Sequence, residues 1–163
     1  MAEAEHVYAP AQGGGTQLPA ALQRYLDGSD LLAKTQALRL ASVDDAGWPH
    51  DTLLSAGDMQ VLSPQRLRFG LFARSTTAAN LARDGRAVLT LALEEGLCEV
   101  RLRIRRLQPD EGSLALYEGT VDEVRMHVAP YADLSSGIVF RLHQPDAVLP
   151  RWQRQLAALR RAS

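Results

Sequence analysis

The chain has 163 residues, of which 46% are apolar and 23% charged, and its formal net charge is −1. That length suits one domain, which can bury roughly 70% of its unfolded surface without metal or disulfide staples. The even charge balance offers no basic field for nucleic acid or an anionic membrane. No segment approaches the roughly 20 apolar residues of a membrane span, and a single cysteine, Cys98, cannot form an internal disulfide.

With no positively charged start followed by an apolar leader, the chain is expected to be cytoplasmic. Residues 1–17 contain Gly13-Gly14-Gly15 and little periodicity, and read as a flexible tail before a single domain over 18–163. The triple glycine lacks the preceding strand and the following Lys-Ser/Thr of a phosphate loop. Leu18, Leu22, Tyr25 and Leu26 then fall at helical spacing, with Pro19 near the start and Asp27-Gly28-Ser29 at the end. Residues 37–43 and 49–56 read as strands joined through Asp44-Asp45-Ala46-Gly47. A second hairpin, 59–62 with 66–72, turns at Ser63-Pro64-Gln65.

Residues 75–84 form a short helix between strands. The strand 86–93 is apolar on both faces, as a strand inside a closed sheet or at a subunit contact would be. In 97–107, Val100, Leu102 and Ile104 alternate with Glu99, Arg101, Arg103 and Arg105, so the arginine row is a solvated strand face. Leu114, Tyr117, Val121, Val124 and Val128 are spaced for an amphipathic helix over 110–128. A last strand over 137–142 is expected next, followed by a helix with Trp152, Leu156 and Leu159 on its apolar stripe and Arg160 and Arg161 at its C-terminal end. Many short strands with hairpin turns favour a mainly β barrel with flanking helices over a doubly wound sheet.

Chemistry concentrates in Arg74-Ser75-Thr76-Thr77, where a strand passes into a helix. The unpaired N–H groups of a helix start make an anion site, and Arg74 adds a charge-assisted donor. Ser75 is also an N-cap, contributing about 1 kcal/mol to the helix. His6, His50, His127 and His143 show no metal-ligand spacing. Glu94-Glu95 suits a hairpin turn, because neighbouring strand residues point to opposite faces. Cys98 reads as a buried strand residue rather than a nucleophile.

Three motifs occur in a fixed order. Leu40-Ala41-Ser42-Val43-Asp44-Asp45-Ala46-Gly47-Trp48-Pro49-His50 resembles the opening hairpin "L-A-T-V-D-x-x-G-x-P-H" of the pyridoxamine-phosphate-oxidase-like family. Leu67-Arg68-Phe69-Gly70-Leu71 resembles its "L-Y-F-x-T" strand. The run from Ser75 through Asn80-Leu81 and Asp84 to Leu89 resembles "S-x-K-x-x-N-L-x-x-D-P-R-V-A-L". The resemblance covers residues 36–107. It implies a split β-barrel that is usually a homodimer, with flavin mononucleotide (FMN) in each of two interface clefts. It places the phosphate at Ser75, Thr76 and Thr77, the isoalloxazine ring beside Thr52, Leu53, Leu54 and Ser55, and the ribityl chain along Leu71, Phe72 and Arg74.

Departures from that pattern bear on function. The lysine of "S-x-K" is Thr77 here, and the positions where the oxidase carries an arginine and a lysine on its second strand are Thr52 and Gly57. Arg74, or an arginine of the 101–105 row, would have to replace them. The substrate-binding pattern of true pyridoxamine-phosphate oxidases is not recognisable, so vitamin B6 oxidation is not expected. The resemblance implies an FMN-dependent oxidoreductase acting on a small-molecule substrate, with no catalytic side chain named. The alternatives are a barrel that has exchanged flavin for haem, with His143 as the first candidate iron ligand, or one that takes a deazaflavin.

Overall fold

A computed structural model of the protein describes residues 12–163. Its strands are β1 (Gln12–Gly14), β2 (Leu38–Val43), β3 (Pro49–Leu54), β4 (Met59–Ser63), β5 (Arg66–Phe72), β6 (Arg86–Leu93), β7 (Gly96–Arg106) and β8 (Leu114–His127). The helices are α1 (Ala20–Tyr25), α2 (Thr76–Arg83) and α3 (Pro145–Arg161), with a single 3-10 turn at Leu31–Ala33. Residues 1–11 of the expected tail lie outside the described part, as does His6. The end of that tail is strand β1, which pairs with β8.

All pairings are antiparallel, in the order β3-β2-β6-β7-β8-β5-β4, and the sheet curls into a half-barrel with few flanking helices. The turn at Asp44–Gly47 closes β2 on β3 because Asp44 Oδ1 accepts from the N–H groups of Ala46 and Trp48, and Gly47 takes φ +86°. Glu94 and Glu95, both at positive φ, form the tight turn between β6 and β7. The core is leucine-rich. Leu22, Leu38, Leu40, Leu67, Phe69, Leu89 and Leu107 are fully buried, and Phe69 stacks on its cross-strand partner Tyr117 at 5.4 Å.

Two expected elements differ. The helix expected over 110–128 is instead the long strand β8, flanked by β7 along one edge and by β5 and β1 along the other. Its apolar spacing misleads because a bulge opposite Arg101 and Leu102 inserts Asp122. Val121 and Val124 therefore both stay buried three residues apart, as they would on a helix. The strand expected over 137–142 reduces to one bridge, Gln36 with Val139, and two backbone bonds, from Ala37 N–H to Ile138 and from Phe140 N–H to Thr35. The Gln36 side chain is what stops it. Its amide donates to Ala92 O and accepts from Ala92 N–H, so the end of β6 is satisfied without a further strand. Gly137 makes room, since a Cβ there would lie 2.2 Å from Gln36 Oε1.

Cys98 is fully buried on β7, and burial, with Glu94 and Glu99 nearby, pushes its thiol up to about 11. A thiol so raised is no nucleophile at neutral pH. The arginine row pairs with acids across the sheet: Arg101 with Glu123, Arg103 with Asp122, and Arg105 with Glu118. No helix among the described residues is long and apolar enough to cross a membrane.

Candidate functional site

Four elements meet around one groove of about 260 Å3: the end of β3, the end of β5, the start of α2 and the middle of α3. β3 contributes Thr52, Leu53 and Leu54, and β5 contributes Gly70, Leu71 and Phe72. Leu53 and Phe72 are 53% and 64% exposed, so two large apolar side chains stand unpartnered at the groove.

The loop after β3 is locked by its own polar groups. Asp58 Oδ2 accepts from both the N–H and the hydroxyl of Ser55 at 2.8 Å, and Gly57 N–H donates to Ser55 Oγ. Gly70 N–H donates to Asp58 O, which ties this loop to β5. Ser55, only 8% exposed, therefore holds Asp58 in place at the groove and is not itself a lining residue. Burial raises the Asp58 pKa above the ordinary carboxylate value, against the opposing effects of the Ser55 hydrogen bonds and of the Arg151 charge.

The helix start is built by a turn in which Ser75 N–H donates to Phe72 O, and Ser75 Oγ then caps α2 by accepting from Ala78 N–H at 3.1 Å. Asn80, 2% exposed, donates to Ser42 Oγ at 3.0 Å and fixes α2 against β2. The first-turn N–H groups at Thr76 and Thr77 have no intrahelical acceptor. Ser75→Ala removes the cap, and we expect it to lower stability by about 1 kcal/mol in chemical denaturation.

Of the residues expected at a cofactor site, Thr52, Leu53, Leu54, Leu71, Phe72 and Ser75 line this groove. Arg74 and Thr76 are exposed beside it, and Thr77 is buried with its hydroxyl oxygen unpaired. The sequence reading missed Asp58, Leu114, Arg151 and Gln155, which also line it. Arg151 and Gln155 lie four apart and so share a face of α3, but no local signal says which strand ends that face overhangs. Gln155 Oε1 is buried without a hydrogen-bond partner.

The chain docks α3 through Trp152, which is 3% exposed and meets Phe140 edge-on at 6.4 Å. Its ring lies directly on Gly57, where a Cβ would fall 2.1 Å from the indole. The C-terminal end of α3 is held by Arg68. That guanidinium donates to Leu159 O at 2.8 Å and Ala162 O at 2.6 Å, and pairs through Nε with Glu118 at 2.9 Å. His143 is exposed and is not among the groove-lining residues. The described residues contain no group of three or more His, Cys, Asp or Glu able to hold a metal ion.

Comparison with known proteins gives one curated relative and a set of similar folds. The chain is 36% identical over 140 residues to the uncharacterised protein YclD of Bacillus subtilis, covering 83% of this chain and 91% of that one. A solved Lactobacillus delbrueckii protein, provisionally described as a pyridoxamine 5'-phosphate oxidase, has the same fold. It is 19% identical with a TM-score of 0.53, over 68% of this chain and 94% of that one. An FMN-binding protein from Syntrophomonas wolfei is similar at 13% identity and a TM-score of 0.47, over 63% of this chain and 86% of that one. No family model matches the chain.

Proposed function

The chain belongs to the family of YclD of Bacillus subtilis and shares the split-barrel fold of a solved protein described as a pyridoxamine 5'-phosphate oxidase, and we propose that the groove between β3, β5, α2 and α3 binds flavin mononucleotide. The observation that carries this reading is the convergence of six residues. Thr52, Leu53, Leu54, Leu71, Phe72 and Ser75, each expected from sequence to flank a flavin, line one groove.

The groups present there fit such a ligand. Leu53 and Phe72 offer exposed apolar faces for a ring. The start of α2 and the Ser75 hydroxyl offer donors to an anionic end. Bound flavin would supply hydride or single-electron transfer, which makes an oxidoreductase of a small-molecule substrate the proposed activity. The chain's own part is to bind and orient the ring and to keep water from its buried face.

At about 260 Å3 the groove falls short of the roughly 300–1,000 Å3 of ordinary small-molecule sites. A second copy of the chain laid over Leu53 and Phe72 would enlarge and close it, so a homodimer is part of the proposal.

The test is the visible absorption spectrum of purified protein, before and after FMN addition and desalting, with sedimentation to give the mass. Retained flavin on a dimer is the expected result. Colourless protein that releases added FMN would refute the reading, and a haem or deazaflavin spectrum would replace it.

A further inference from the structure

We propose that Arg151 of α3 makes the groove selective for a phosphorylated ligand, acting with the start of α2 on one phosphoryl group. The inference rests on the flavin nucleotide reading and deepens it. Arg151 and Ser75 line the same groove, although they stand 76 residues apart in the sequence. Among the described residues Arg151 makes no hydrogen bond and no ion pair within 4 Å, so its five N–H donors are uncommitted. Arg24, Arg66, Arg74, Arg141, Arg154 and Arg161 are likewise unpaired among the described residues, but of these seven arginines Arg151 is the one that lines the groove.

Placement follows from packing. Trp152, the next residue, is seated on Gly57, and this fixes the helix so that Arg151 overhangs the end of β3. Asp58 lines the same groove, where the Arg151 charge opposes the rise that burial gives its pKa. A second hollow of about 240 Å3 adjoins, sharing Phe72, Leu114, Arg151 and Gln155 and adding Arg154 and Glu111. Arg151 thus stands at the junction of the two. Two acids, Asp58 and Glu111, and two arginines face this space. Only the arginines can donate to a dianionic phosphoryl group, and a guanidinium does so through paired N–H bonds.

The experiment compares FMN with riboflavin, which lacks the phosphate, by flavin fluorescence titration of the full chain, Arg151→Gln and Arg161→Gln. The last removes the same charge from the far end of α3. The wild-type chain is expected to prefer FMN. Arg151→Gln should weaken FMN about tenfold or more while changing riboflavin little, and Arg161→Gln should change neither. An FMN preference that survives in Arg151→Gln overturns the inference and leaves the flavin reading intact.

A second arm does not need flavin. The 31P line of inorganic phosphate should broaden with the wild-type chain and not with Arg151→Gln. If this occurs in a chain that binds neither flavin, Arg151 is still the anion residue and the flavin reading falls. No broadening and no FMN preference in the wild-type chain overturns the inference.

Discussion

Replacing Arg68 by methionine is expected to destabilise the fold by about 3–5 kcal/mol, a third or more of a typical domain's stability. Arg68 is 9% exposed and does three things at once. It pairs with Glu118, itself 4% exposed, and it caps two carbonyls in the last turn of α3. Methionine fills most of the volume but leaves Glu118 with Arg105 alone and the carbonyls of Leu159 and Ala162 without their donor. The cost arises from stranding buried polar groups rather than from the loss of an attraction.

The pH dependence carries a sign. Burial by itself would raise the Glu118 pKa, yet the hydrogen bonds from Arg68 and Arg105 outweigh it and the net shift is downward. A folded pKa below the unfolded one gives stability that is complete above the ordinary carboxylate pKa. That stability is lost as pH falls through the lowered folded value. The gap between wild type and Arg68→Met should therefore be widest near neutrality and narrow in acid, as read by urea unfolding across that range. A gap that stays constant with pH would show that Glu118 is not the group responsible.

The second large effect is at Gly57. Ala at this position places a methyl 2.1 Å from the Trp152 indole, and neither the buried ring nor the loop closed by Ser55 and Asp58 has room to yield. Gly57→Ala should cost about 3 kcal/mol, toward the upper end for overpacking, and Trp152→Ala about 3–5 kcal/mol through the cavity it leaves. The double variant should be no less stable than Trp152→Ala alone, because the methyl then occupies vacated space. Additive losses in guanidinium unfolding would mean that the two residues do not compete for one volume. Gly57→Ala should also weaken FMN binding, since Arg151 and Gln155 reach the groove only while α3 is seated.

These two sites show what could and could not be read from the chain. The β2–β3 hairpin was legible because Asp44 and Gly47 are the residues such a turn needs, and β6 because Arg86–Leu93 is apolar on both faces. β8 was not, since one bulge at Asp122 turned a strand's period into a helix's. Residues 137–142 were not, since a glutamine amide stands in for a strand's backbone at Ala92. The groove's β3, β5 and α2 walls were legible through motif order. Its α3 wall was not: Arg151 and Gln155 look like any polar helix face until Trp152 has met Gly57.

The short pairing of Gln12–Gly14 with Val124–Met126 changes where the domain can be cut. β5 covers β8 only as far as Thr120, and beyond that β1 is the neighbour that satisfies the strand's outer edge. A chain trimmed to begin at Leu18, the boundary that hydrophobic patterning alone suggests, would bare that edge from Val124 to Met126. Unpaired strand edges recruit other strands. An N-terminal truncation made for convenience would thus convert a covered ladder into a template for self-association, so expression boundaries belong ahead of residue 12.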